Sequence, residues 1–365
     1  MDAHDVDLIP AGTVFSPADI IHYADPDMRD LAQAISDADV LVTAPHADAA
    51  IPEELAGFLS PDLTRRLQYD FSDIATAAVV KRWAEIDPRI VAVINPHPRL
   101  VRDPNRVQPS DLRADVREAF DRVRAAGPRR DADLTGVDAV RPVTYSSFPI
   151  LSAPRSDVEL ARLVETLSHV ASQGLDVYEA TREELTDLFI TKVLAQGGAF
   201  TRLSFHDSMH APMRADGALN DDPAVQAEMP AVVALSNYGD EAGEQCGAAD
   251  PVTMAPVELR RLAEAHRREF EVAEPEAVTL NRPYRGSHEI LDAAERFARV
   301  SAETGPADAS FAAVQAEFSR AYVLGPRALE ELSEPGEAWV EEDHERIEFL
   351  AYACKRAWDA FRDES

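Results

Sequence analysis

Along most of this chain, short runs rich in β-branched and other apolar residues alternate with stretches that repeat apolar residues every three or four positions. The runs are ADVLVTA (38–44), RIVAVIN (89–95), FTRLSFH (200–206), AVVALS (231–236) and FAAVQAEF (311–318), each bounded by turn-forming residues. Between them, Leu112, Val116, Phe120 and Val123 share one helical face, and 344–361 reads as a long amphipathic helix. Ser156 with Glu159, and Thr181 with Glu184, are capping-box pairs that start helices, and Gly197 with Gly198 marks a stop. Alternation on this scale predicts an α/β fold with a mixed, mostly parallel sheet and helices on both faces. A single domain over 1–365 is expected, with the weakly periodic, proline-bearing stretches 127–155 and 207–230 as insertions or lids.

The formal net charge of −30 opposes binding to nucleic-acid phosphates or anionic membranes. Lys81, Lys192 and Lys355 are the only lysines, so the surface is rich in carboxylates and nearly free of ammonium groups. Adaptation to high salt, where screening relieves self-repulsion, and drift toward GC-rich codons both account for this. No segment reaches the roughly 18 consecutive apolar residues of a membrane helix, and MDAHDVDLIPAG lacks a basic n-region, so a soluble, cytoplasmic protein is expected. Cys246 and Cys354 are far apart and outside any CxxC pattern. Any metal must therefore be held by histidine and carboxylate.

Functional groups in α/β sheets gather at the carboxyl ends of strands. His46 follows the first run, His206 ends the third and Glu317 lies near the end of the fifth, so three remote residues can meet at one edge. Each histidine reads either as a hydrogen-bonded structural residue or as a metal ligand, since zinc sites take imidazole and carboxylate from separate elements. In RLVRDPNR (99–106), Asn105 and Arg106 can present an amide and a guanidinium fork to a substrate carboxylate, or form an ion-paired surface turn. Gln315 and Glu317 share one face of their strand by period two. Glu317 is then either ion-paired to Arg320 or a general base acting on a metal-activated water.

Taken in order, these pieces resemble the N-formylglutamate amidohydrolase family, zinc-dependent enzymes related in fold to the zinc carboxypeptidases and aspartoacylase. The matching elements are Pro45-His46 with Pro52, the aspartate-bearing YDFSDIATAAVVKRW, and Arg99, Asp103, Asn105 and Arg106. They continue with His206 and Ser208, NRPYRG (281–286), and Gln315, Glu317 and Arg320. The resemblance implies a zinc-carboxypeptidase-like (phosphorylase/hydrolase-like) architecture and one Zn2+ held by His46, His206 and a carboxylate. Asp73 is the preferred third ligand, with Asp70 and Glu53 as rivals. It further implies Glu317 as general base, Asn105 and Arg106 as the clamp on a substrate carboxylate, and Arg320 as a weaker candidate for a second anionic group. The implied substrate is a small N-formyl or N-acyl amino acid such as N-formylglutamate. A deacylase or carboxypeptidase-like amidase on another substrate, or a ligand-binding member without catalysis, would share these residues.

The chain departs from the family pattern at Asp48, where glycine is usual, at Ile74–Thr76 in DIAT, at Val107 and Gln108, and at Ser287 and His288 after Gly286. These positions flank the substrate-binding elements, so the reaction class follows from the resemblance more firmly than the substrate does.

Overall fold

A computed structural model of the chain describes residues 6–248, 250–302, 306 and 308–363. The strands, in chain order, are β1 (Leu8–Ile9), β2 (Ile21–His22), β3 (Val40–Ala44), β4 (Ile51–Pro52), β5 (Ile90–Ile94), β6 (Ala199–Ser208), β7 (Val233–Ser236), β8 (Val278–Leu280) and β9 (Ser310–Ser319). Among the described residues, β1 and β4 pair with each other, and the rest form one sheet in the order β2-β5-β3-β6-β9-β7-β8. The β3 strand runs parallel to β5 and β6, β6 to β9, and β7 to β8, whereas β2–β5 and β7–β9 are antiparallel. The sheet is thus mixed and mostly parallel, as the alternation predicts. The additional strands β2 and β8 are too short to carry a legible period.

Helices cover both faces. Leu41 of β3 packs into the core built with helices Asp157–Gln173, Leu175–Gln196 and His288–Ala302. Val40, Val42 and Ala44 pack into the core on the other side, built with helices Ile74–Ile86, Pro256–Glu269 and His344–Asp363. A strand buried on both faces is mostly apolar, which is why VLVTA shows no polar alternation and carries a single polar side chain, Thr43.

The helix start expected at Thr181 is not a start. Thr181 is buried inside helix Leu175–Gln196, which begins directly after Gly174. A Cβ at Gly174 would lie 2.8 Å from the His97 ring and 3.0 Å from the Phe15 ring, so the break between the two helices is set by packing at a glycine. The Ser156 start holds: its side chain accepts from the Glu159 N–H.

On the 157–196 side of the sheet, alternation aligns Phe200, Arg202, Ser204 and His206 on β6 and Ala313, Gln315 and Glu317 on β9. Apolar residues at the start of these strands give way to polar ones at their carboxyl ends. The register places Thr43 beside Ser204, Ser204 beside Gln315, and His206 beside Glu317. Stretches 127–155 and 209–230 carry isolated bridges but no helix or strand; Asp207 and Ser208 belong to β6 and not to an insertion. Among the described residues, no helix is long and apolar enough to cross a membrane.

Candidate active site

Two loops and two strand ends deliver the donors. His46 sits just past β3, and its carbonyl accepts from the Asp73 N–H at 2.9 Å, which fixes Asp73 at the N-terminus of helix Ile74–Ile86. His206 arrives from β6. The His46 and His206 rings stand 5.0 Å apart, and Asp73 Oδ2 lies 3.3 Å from His46 Nδ1 and 3.0 Å from His206 Nδ1. One donor atom from each of His46, Asp73 and His206 falls within 4.8 Å of the others, and all three residues are buried. Asp73 is therefore the carboxylate that joins the histidines. Asp70 instead faces Arg320 and Ser146 and has its pKa pushed up to about 6 by burial. Glu53 is exposed and accepts from the Ala11 N–H.

The ring nitrogens turned away from Asp73 are tied down. His46 Nε2 donates to Asp103 Oδ1 at 2.7 Å, and Arg99 Nη2 donates to Asp103 Oδ2 at 2.6 Å. Burial alone would raise the Asp103 pKa, but Arg99 and His46 hold it well below the usual carboxylate range. His206 Nε2 lies 2.8 Å from Ser204 Oγ, which donates to Glu289 Oε2 at 2.8 Å. An ionised carboxylate only accepts, so it takes the single Ser204 proton and leaves that oxygen to accept from His206 Nε2–H. Asn105 Nδ2, 3.4 Å from the same nitrogen, is spent on Ser287 Oγ at 2.6 Å. Both histidines thus keep Nδ1 toward Asp73, in the carboxylate-supported arrangement typical of metal-ligating imidazoles. The donor chemistry fits a divalent cation such as zinc: two imidazole nitrogens, one carboxylate and a satisfied outer layer.

Glu289, which the sequence reading missed, anchors that outer layer. Its Oε2 also accepts from Thr43 Oγ1 at 2.8 Å, and its Oε1 accepts from Tyr178 at 2.9 Å and from Arg182 Nη1 at 2.6 Å. Burial opposes its charge, yet Arg182, with Arg202, Ser204 and Thr43, holds its pKa far below the ordinary value. Asp73 is likewise held low, since its two histidines outweigh burial, while the His206 pKa rises against burial through Asp73.

Glu317 stands beside His206 on the neighbouring strand. Ser208 Oγ donates to its Oε1 at 2.5 Å and Gln315 Nε2 to its Oε2 at 2.9 Å, while burial raises its pKa. The alternative of a Glu317–Arg320 ion pair is not formed. Arg320 pairs with Asp207, whose side chain points to the opposite face of β6 from His206, and donates to the carbonyls of Asp70 and Ser72. Asn105 is buried and its Oδ1 accepts from the Glu289 N–H at 3.0 Å. Arg106 is partly exposed, with Nε on Asp138 at 2.6 Å.

His46, Asp73, His206 and Glu317 line one cavity of about 450 Å³ together with Arg99, Asn105, Arg106 and Arg320, whereas Asp103, Ser204 and Glu289 lie outside its lining. Its walls include Tyr145 and Ser146 from 127–155, and Met209, His210 and Val225 from 209–230. Tyr284 and Gly286 complete it; Gly286 has φ +109, and a Cβ there would lie 2.2 Å from Ile290 Cδ1. Asp48 does not line the cavity; its Oδ1 accepts from the Ala50 N–H.

The carboxyl edge of the sheet thus gathers a buried His–Asp–His donor set beside a carboxylate, within one cavity. The chain belongs to the N-formylglutamate amidohydrolase family, whose model matches residues 38–324. Amidohydrolases of this kind act on carbon–nitrogen bonds. In fold, the chain is similar to N-formylglutamate amidohydrolase from Ralstonia eutropha JMP134, at 16 % identity over 94 % of this chain and 98 % of that one, with a TM-score of 0.51. It also aligns with a gene product of Agrobacterium tumefaciens, at 17 % identity over 91 % and 94 % of the two chains, with a TM-score of 0.45. No curated protein matches the chain.

Proposed function

We propose that this chain is a metal-dependent amidohydrolase that cleaves the amide of an N-acyl amino acid, with N-formylglutamate as the substrate its family favours. The observation that carries the reading is the buried convergence of His46, Asp73 and His206, with Glu317 in register on the adjacent strand. These three residues would hold zinc, and the donor set at the carboxyl edge of a mixed sheet supports a zinc-carboxypeptidase-like architecture. Bound there, the cation supplies Lewis-acid polarisation of the amide carbonyl and acidifies water.

The chain's own residues do the rest. Glu317 takes the proton of the attacking water and returns it to the leaving nitrogen; its raised proton affinity suits both tasks, and Ser208 and Gln315 fix both its oxygens. Arg99 lines the cavity with a buried Nε that has no hydrogen-bond partner, and we assign it to the negative charge that develops on the acyl oxygen. Arg106 clamps the remote carboxylate and so positions the acyl carbon, with Asn105 holding the loop against Glu289 and Ser287. Arg320, whose donors are spent on Asp207 and two carbonyls, is assigned to support of the Asp70–Asp73 segment and not to substrate. The charge of −30 opposes contact with nucleic acid or anionic membrane and so favours a small-molecule partner, and a cytoplasmic location is part of the same proposal.

A turnover panel of N-formyl and N-acetyl amino acids on zinc-loaded protein tests the reading. Release of free amino acid from at least one member supports it, and formylglutamate turnover selects the family's reaction over another deacylation. Stoichiometric zinc with no hydrolysis across the panel overturns it in favour of a ligand-binding member.

A further inference from the structure

Every arginine that lines the cavity has a carboxylate of its own: Arg99 has Asp103, Arg106 has Asp138 and Arg320 has Asp207. Arg141, in the 127–155 stretch, differs. Among the described residues it has no hydrogen bond and no ion pair, and its Nε is buried without a partner. Its guanidinium carbon lies 4.5 Å from the centroid of the Tyr145 ring, and that of Arg99 lies 5.0 Å from the same ring, which lines the cavity. The backbone around it is fixed: Ala139 accepts from the Asp103 N–H at 2.7 Å, and Pro142 accepts from the Ile150 N–H at 2.9 Å. In a chain with 66 acidic residues against 36 basic ones, a half-buried guanidinium without a carboxylate is conspicuous. Burial, Arg99 and Arg106 disfavour its charge and outweigh the favourable Tyr145 and Asp138, the latter making no hydrogen bond or ion pair with it, and an anion from outside would relieve both burial and repulsion.

We propose that Arg141 is a specificity-determining residue: with Arg106 it forms a two-guanidinium clamp, Arg106 and Arg141 each taking one carboxylate of a dicarboxylic N-acyl amino acid. Arg106 keeps its Nη2 uncommitted, since its Nε serves Asp138 and its Nη1 the Asn105 carbonyl at 3.1 Å. Arg141 is not itself among the residues that line the cavity, but its planar fork packs on the lining residue Tyr145, and to that fork we assign the second carboxylate. The inference rests on the amidohydrolase reading for which molecule binds, but the residue belongs neither to the family motif nor to the donor cluster.

The test compares wild type, Arg141→Gln and Arg141→Lys on N-formylglutamate and on its side-chain amide, N-formylglutamine. Calorimetric binding of L-glutamate and L-glutamine to the same zinc-loaded proteins runs alongside. Loss of a charge-assisted pair predicts that Arg141→Gln raises KM for N-formylglutamate roughly ten- to a hundredfold, with kcat and both constants for N-formylglutamine within about twofold. Arg141→Lys recovers part of the loss, and thermal unfolding of both variants stays near wild type. Equal losses on both substrates, or no loss, overturn the clamp. If nothing is hydrolysed, the amidohydrolase reading fails on its own. Calorimetry then still decides, because a wild type that binds glutamate no better than glutamine, or an Arg141→Gln that keeps the preference, removes Arg141 from recognition.

Discussion

Glu289→Gln removes the charge on which the outer layer of the site is built. The Glu289 side chain is 0 % exposed and that of its partner Arg182 is 9 % exposed, so solvent does not compensate either group. Four donors end on the carboxylate: Thr43, Ser204, Tyr178 and Arg182. A glutamine keeps one accepting oxygen and turns two N–H bonds toward a pair of those donors. Breaking a buried ion pair on one side costs about 3–5 kcal/mol, a large share of the roughly 5–15 kcal/mol that holds a domain together. Arg182 retains Glu183 at 2.9 Å, which places the expected loss at the lower end of that range. Urea denaturation of metal-free protein at pH 7 measures it, with Thr43→Val, expected near 1 kcal/mol, as the single-bond control. The folded-state pKa of Glu289 is depressed, so its contribution is full above the unfolded value of 4.5 and fades as pH falls below it. The gap between wild type and variant should therefore narrow toward pH 3. Through Ser204, the same variant frees the His206 tautomer and should weaken zinc binding about 10- to 100-fold. A loss below about 1 kcal/mol together with unchanged zinc affinity would refute the reasoning.

Glu317→Gln should lower kcat by about 10²- to 10⁴-fold while zinc stoichiometry stays at the wild-type value; an unaltered rate removes Glu317 from proton transfer. Buried His97 and His266 have pKa values pushed down to about 4 by burial, so the unfolded chain binds their protons first as pH falls. Stability should be full above about pH 6.5 and decline toward pH 4, by on the order of 3 kcal/mol per histidine, and a flat pH 4–6.5 stability curve contradicts this. If the acidic surface reflects adaptation to salt, the melting temperature should climb steadily from low to molar KCl, and no gain leaves codon drift as the explanation.

Much of the architecture could be read from residues that obey a local period. The strand that leads to His46 and the strands that carry His206 and Glu317 are long enough to show their apolar runs, and period two alone puts Gln315 and Glu317 on one face. What local patterns do not encode is which carboxylate turns toward which base. Asp70 and Asp73 are three residues apart, and the sequence prefers Asp73 without removing Asp70 as a rival. Only the backbone bond from the Asp73 N–H to His46 selects between them. Glu317 and Arg320 looked like partners by proximity, yet Arg320 begins helix Arg320–Ser333 and reaches Asp207 on the other side of β6. Glu289 was invisible because nothing in SHEILDAAERF marks a carboxylate whose partners come from residues 43, 178, 182 and 204. Arg141 was equally silent, because the absence of a partner is a property of three dimensions. The false start at Thr181 arose where a tertiary contact at Gly174, and not a cap, interrupts the helix.

The most direct measurement is zinc titration of metal-free wild type, Asp73→Ala, His206→Ala and Asp70→Ala, read by calorimetry and by elemental analysis after dialysis. One zinc per wild-type chain, retained in Asp70→Ala and lost in the other two, is the predicted result. Zinc binding that survives both Asp73→Ala and His206→Ala, or a wild type that takes up none, would contradict the assignment of His46, Asp73 and His206 as a metal centre.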